Sequence, residues 1–317
     1  MFKFKSPSEN TLKVMSEVAK GNIPDDFEQK CIDKIRDLTS HDEVKITSSG
    51  NNSIFIALSA IEGDIIIPDQ GGWHGFKQIA KFLNKKIITL KTDLGLINTD
   101  YLDELFIKEG SALIFTSFAG YSAEQDIKSI SQYCKGKNII TIEDASAGVG
   151  DNRNLLGNGN YSDIIIASTG SPKMINVGGG GFISTNDKDI FEKTRLSQKL
   201  SKTSQIICSG IDSELDNVGK NLELSLNATT YVKKHIHNTL HQDKRGVNVI
   251  IPHENAKSIC WDLKKTLTTE KSGFITTCPN YNRIKQKAIC VEIKNLDYSC
   301  LNRDNLDIII DEVNSRL

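Results

Sequence analysis

Six short apolar runs, rich in β-branched residues and separated by amphipathic stretches, constrain the fold of this chain most. They are D-I-I-I-P (64–68), K-I-I-T-L (86–90), A-L-I-F-T (112–116), N-I-I-T-I-E-D (138–144), D-I-I-I-A-S (163–168) and G-F-I-S-T (181–185). A strand that is apolar at consecutive positions is buried on both faces. Such strands, alternating with helices, build a parallel sheet between helical layers. Ligands of these sheets bind beyond the carboxyl ends of the strands. Asp144 and Ser168 stand at two such ends.

The pattern changes on either side. Residues 1–45 read as a polar helical segment, with Phe27, Cys31, Ile32, Ile35 and Leu38 as its apolar stripe. Residues 188–250 read as mainly helical, and 254–270 as a helix. F-I-T-T-C (274–278) and A-I-C-V-E-I (288–293) read as a hairpin around P-N-Y-N-R, followed by a closing helix near 304–316. The expected class is α/β: a mostly parallel sheet flanked by helices, with a small α+β C-terminal domain. The large domain is expected over 1–240 and the small one over 241–317.

The net charge of −1 gives no overall field suited to nucleic acid or an anionic membrane. No apolar run approaches the roughly 20 residues of a membrane span. The start, M-F-K-F-K-S-P-S-E-N, has no apolar core, so no signal peptide is expected. Seven widely spaced cysteines without a C-x-x-C point to reduced thiols in a cytoplasmic protein, and to no metal site.

The chemistry is expected at Lys173, in S-T-G-S-P-K-M-I-N-V-G-G-G-G, downstream of Asp144. An amine in a Gly- and Ser-rich turn, beside a strand-end carboxylate, suits pyridoxal phosphate. The amine forms a Schiff base with the aldehyde, and the carboxylate keeps the pyridine nitrogen protonated. Gly50 and Asn51 open a helix with the stripe Ile54, Leu58 and Ile61, whose N-terminus suits a phosphate or is simply capped. Ser168 either donates its hydroxyl to that phosphate or bonds locally. Trp73, in G-G-W-H-G, is a ring-stacking candidate or a core residue, and His74 is second choice. A Rossmann dinucleotide site is disfavoured, because no G-x-G-x-x-G follows the first strand.

Several ordered motifs together resemble the DegT/DnrJ/EryC1/StrS family of pyridoxal-phosphate aminotransferases, of fold type I. The resemblance runs from about residue 20 to 230. Phe27-Glu28 looks like its F-E motif, and Ser49-Gly50-Asn51 like its S-G-T. Gly63 through Pro68, followed by Trp73, is similar to its G-D-x-V-x-x-P and aromatic. Glu143 through Ala147 resembles E-D-x-A-Q. Ser168 through Lys173, with Gly178 through Gly181, resembles S-F-x-x-x-K and G-E-G-G. Gly219 through Glu223 resembles G-x-N-x-R.

The resemblance implies a transfer of an amino group from an amino acid, by analogy glutamate, to a keto sugar or related carbonyl. It also implies that Asn221 reaches the cofactor phosphate of a neighbouring subunit, hence a homodimer with composite sites. The chain departs from the pattern at Ala147, where the family has glutamine, at Asn51 for threonine, and at Glu223 for arginine. Thr116-Ser117-Phe118 stands where a histidine often precedes a glycine. A glutamate facing the site would repel a diphosphate. A lyase or decarboxylase on the same scaffold, or a non-catalytic cofactor-binding regulator, stays open.

Overall fold

The computed structural model describes residues 1–22 and 25–317; residues 23 and 24, within the expected helical segment, lie outside the described residues. The order begins with α1 (Glu9–Ala19), α2 (Phe27–Thr39), β1 (Glu43–Thr47), α3 (Gly50–Ala60), β2 (Ile65–Pro68), α4 (His74–Phe82) and β3 (Ile87–Leu90). It continues through α5 (Asp100–Asp103), β4 (Ala112–Thr116), the short pair β5 (Phe118–Ala119) and β6 (Ala123–Glu124), α6 (Ile127–Gly136), β7 (Ile140–Asp144), β8 (Ile164–Ser168) and β9 (Gly181–Thr185). Helices α7 (Lys188–Lys193), α8 (Arg195–Leu200), α9 (Gln205–Leu215) and α10 (Val218–His235) follow. The chain closes with β10 (Val249–Pro252), α11 (Ala256–Thr266), β11 (Ile275–Cys278), β12 (Ala288–Val291) and α12 (Arg303–Asn314).

The main sheet has seven strands in the order β1-β9-β8-β7-β4-β2-β3. Its centre is as apolar as the sequence implies: every residue of β2 and β4 is buried, as are the first four of β8. Pairings from β8 through β3 are parallel, whereas β9 runs antiparallel to both β8 and β1. The run 181–185 reads like the other strands, yet β9 is reversed. The link from β8 to β9 is only the lysine loop, with no crossover helix to turn the chain around.

Strand β1 lay partly inside the stretch read as helical. Its burial alternates at first, as suits an edge strand: Val44 and Ile46 are buried and Lys45 is exposed. Strand β10, which starts at the very end of the stretch read as mainly helical, forms one side of a second sheet with order β10-β12-β11. The expected hairpin is present, with Ile275 opposite Val291 and Cys278 opposite Ala288.

Capping fixes where the helices begin. Ser8, Asp26, Ser49, Asp126 and Asn302 each accept from a backbone N–H three residues on. In α2 the buried residues Phe27, Cys31 and Ile35 recur every four, with Ile32 and Leu38 packed at the margin. Burying each such side chain contributes about 1.5–3 kcal/mol.

Two of the molecule's large cores meet along α10. Leu222 and Leu226 of α10 pack into the core beneath the main sheet, with Phe115, Phe182 and Ile211. Ala228 and Val232 of the same helix pack into the core of the C-terminal sheet, with Ile289, Val291 and Ile309. The change of core therefore falls within α10. Phe2 joins the C-terminal core, and Phe4 bridges to Leu296, so the first residues return to the far end of the chain.

Candidate active site

Because β9 alone reverses within the sheet, the lysine loop begins and ends on the side where β7 and β8 terminate. A cavity of about 210 Å³ opens there. Gly50, Asn51, Trp73, Asp144, Ser168 and Lys173 all line it, so the structure brings together six of the seven residues singled out by sequence. Asn221 is elsewhere, lining a cleft with Glu214, Asn217 and Tyr298.

The start of α3 is pressed against the end of β8. A Cβ at Gly50 would stand 2.5 Å from Ser168 Cβ and 3.0 Å from Ser168 Cα, so only glycine allows this approach. The Ser49 hydroxyl accepts from Asn52 N at 3.2 Å and caps the helix. A helix start gathers unpartnered N–H groups and a partial positive charge, which is the chemistry a phosphate needs.

Asp144 ends β7 and is buried. Its Oδ1 accepts from the backbone N and hydroxyl of Ser146. The Ser146 hydroxyl also accepts from Ser168 N at 2.8 Å, which ties the two strand ends together. Oδ2 of Asp144 has no hydrogen-bonding protein partner among the described residues.

Trp73 precedes α4. Its indole Nε1 donates to Asn51 Oδ1 at 2.9 Å, so two lining residues fix one another. A Cβ at Gly75 would collide with that indole, which accounts for the second glycine of G-W-H-G. His74 turns elsewhere: its ring packs on Tyr281, with centroids 5.1 Å apart.

Lys173 Nζ donates to the Tyr121 hydroxyl at 3.0 Å and lies 5.9 Å from the Trp73 ring centroid. Burial pushes the ammonium down, but the Tyr121 phenol and the Asp144 carboxylate outweigh it, and the net shift is upward. For Tyr121 burial raises the phenol, while Lys173 and Lys294 bring it below its ordinary value.

Sequence reasoning missed Tyr121, Ser146 and a charged cluster from the C-terminal sheet. Arg283 and Lys294 stand over the Tyr121 ring, at 4.7 and 4.9 Å from its centroid. Glu292 accepts from Arg283 through both oxygens, at 2.6 and 2.5 Å, and lies 3.1 Å from Lys294 Nζ. Burial opposes its charge, yet Lys294 and Arg283 hold the carboxyl at about 2. A serine two residues after a strand-end aspartate was a readable signal for Ser146.

The departures from the motif pattern lie outside the cavity, with the exception of Asn51. Glu223 accepts from Asn152 Nδ2 at 3.2 Å in a cleft with Asp151 and Arg245. Ala147 is buried behind the end of β7. Among the described residues, no group of three His, Cys, Asp or Glu side chains could hold a metal ion.

Residues 9–225 match the model of the DegT/DnrJ/EryC1/StrS aminotransferase family, and residues 219–314 match that of the MJ1341 family C-terminal domain. Solved structures share the fold along the whole chain. The PMP form of Spr1654 from Streptococcus pneumoniae is 11% identical, with a TM-score of 0.79 over 100% of this chain and 97% of that one. The aminotransferase TlmJ from Streptoalloteichus hindustanus is 14% identical, with a TM-score of 0.78 over 100% and 98%. A DegT DnrJ EryC1 StrS aminotransferase from Brucella abortus is 13% identical, with a TM-score of 0.74 over 97% and 95%.

Proposed function

The chain belongs to the DegT/DnrJ/EryC1/StrS family of pyridoxal-phosphate-dependent aminotransferases, and we propose that it moves an amino group from glutamate to a keto sugar or related carbonyl compound. The observation that carries this reading is the single cavity shared by Lys173, Asp144, Trp73 and the start of α3. When bound, pyridoxal phosphate supplies an aldehyde carbon and an electron-withdrawing ring.

The residues divide the work. Lys173 Nζ would be the amine that attaches the cofactor and, once freed, the group that holds and moves a proton beside it. Asp144 Oδ2 accepts the ring N–H and keeps it charged. The Trp73 indole, held by Asn51, stacks on the ring. The start of α3 at Gly50 and Asn51, with the Ser168 hydroxyl, takes the phosphate.

The reading includes a cytoplasmic homodimer, in which Asn221 of the partner subunit completes the phosphate contacts. The placement of Asn221 in a different cleft from its own chain's Lys173 cavity supports this arrangement. The seven cysteines, all buried and free, fit a reducing compartment. Among the described residues no helix is long and apolar enough to cross a membrane. Glu223 lies outside the Lys173 cavity, which supports an acceptor site free of its charge within one chain.

The test is the visible spectrum of the protein with added pyridoxal phosphate, for wild type and Lys173→Ala, before and after glutamate. An absorbance band that needs Lys173 and bleaches with glutamate is expected. A band that glutamate leaves unchanged moves the assignment to a lyase, a decarboxylase or a regulator. The absence of any lysine-dependent band removes the reading.

A further inference from the structure

We propose that Tyr121 is the proton partner of Lys173, taking the proton that the lysine must lose to act as a nucleophile and returning it afterwards. The inference rests on Lys173 being the cofactor amine. It starts from a contact, the 3.0 Å hydrogen bond from Lys173 Nζ to the Tyr121 hydroxyl, and from the effort the fold makes to hold that contact.

Tyr121 sits at φ +65°, a backbone region that bulky residues rarely occupy, directly after Gly120 at φ +54°. Such a conformation persists only where its surroundings over-determine it. Here they do. The Tyr121 carbonyl accepts from Val247 N at 2.8 Å and Asn248 N at 3.0 Å, while its own N–H donates to Phe118 O at 3.1 Å. The side chain is buried and its hydroxyl meets the amine.

The charges around the ring favour the phenolate. Lys173, Arg283 and Lys294 lie 5.2, 4.7 and 4.9 Å from its centroid. Glu292 is engaged by Arg283 and Lys294, and Asp144 is the other carboxylate acting on the pair. Positive neighbours outnumber negative ones, which lowers the cost of a phenolate.

The proton count is simple. With phenol and ammonium both protonated, the pair carries one positive charge. After one proton leaves, the pair has two tautomers: phenolate with ammonium, or phenol with neutral amine. Transfer between them breaks one N–H bond, forms one O–H bond and leaves the lone pair on Nζ. The pair therefore titrates as a unit.

The test uses reciprocity on the cofactor-free protein. Lys173 is titrated by competitive labelling with a small acylating reagent and peptide mass spectrometry; Tyr121 is titrated by its ultraviolet phenolate band. In Tyr121→Phe the Lys173 midpoint falls by about one pH unit or more. In Lys173→Ala the Tyr121 titration rises by a similar amount, because a coupling between two sites acts equally on both. With pyridoxal phosphate, Tyr121→Phe still forms the lysine-dependent band, but glutamate bleaches it about a hundredfold more slowly. Unmoved midpoints in both variants overturn the proposal even where the wild type forms the band. Moved midpoints in a protein whose wild type forms no band keep the pair and remove the aminotransferase reading.

Discussion

The Lys233 ammonium lies 2.7 Å from the carbonyl oxygen of Ser122, the residue after Tyr121. It also donates to the carbonyls of His241 at 2.8 Å and Lys244 at 2.9 Å. One buried cation thus gathers the tyrosine turn and the connection from α10 to β10. Burial lowers this ammonium to about 8, so it remains largely charged at neutral pH. Lys233→Met leaves the Ser122 and Lys244 carbonyls without a donor, while the His241 carbonyl keeps the Lys244 N–H at 3.0 Å. We expect a loss of about 2–4 kcal/mol, measured by urea unfolding at pH 7. An unchanged unfolding midpoint removes the clasp from the account of the fold.

Gly50 is the point at which helix and strand touch. Gly50→Ala places a methyl group against the Ser168 backbone and pushes the start of α3 away from the end of β8. We expect a cost of about 1–3 kcal/mol in stability and at least a tenfold loss in affinity for pyridoxal phosphate, read by titrating the absorbance band. The control is Gly179→Ala, whose Cβ meets nothing nearer than 3.7 Å. Equal behaviour of the two variants counts against the cradle.

Glu143, adjacent to Asp144, faces the other way and is fully buried. It accepts from the Ser117 hydroxyl at 2.6 Å, Gly157 N at 2.8 Å and the Ser162 hydroxyl at 2.8 Å. Burial nevertheless pushes its carboxyl up to about 7. A raised carboxyl stabilises the fold fully below its unfolded value, near 4.5, and that contribution is lost as pH rises through 7. Glu143→Gln keeps the shape and removes the titration. The variant therefore gains on the wild type between pH 5 and pH 8, by up to about 3 kcal/mol in denaturant unfolding. A constant difference across that range excludes Glu143 as the titrating group.

The core of the sheet and the line from Asp144 through Ser168 to Lys173 were legible because they depend on local pattern. A doubly buried strand announces itself in consecutive isoleucines, and the chemistry sits where those strands end. Strand β1 was not, because E-V-K-I-T alternates at an edge and adjoins a helical stretch. The reversal of β9 was readable in principle: residues 169–180 are too short and too glycine-rich for a helical crossover. Tyr121 was hidden for a different reason. Its importance comes from Lys173, Arg283 and Lys294, which are distant in sequence and meet only once the C-terminal sheet has docked.

The pairing of β1 with β9 also sets a schedule for biosynthesis. Residues 43–47 find their hydrogen-bond partners only at 181–185. A chain leaving the ribosome exposes the start of α3, the proposed phosphate cradle, long before Ser168 and Gly181 arrive to close against it. On the proposed reading, the cradle at Gly50 is complete only when more than half of the polypeptide has been translated, so a chain truncated before β9 is expected not to retain pyridoxal phosphate.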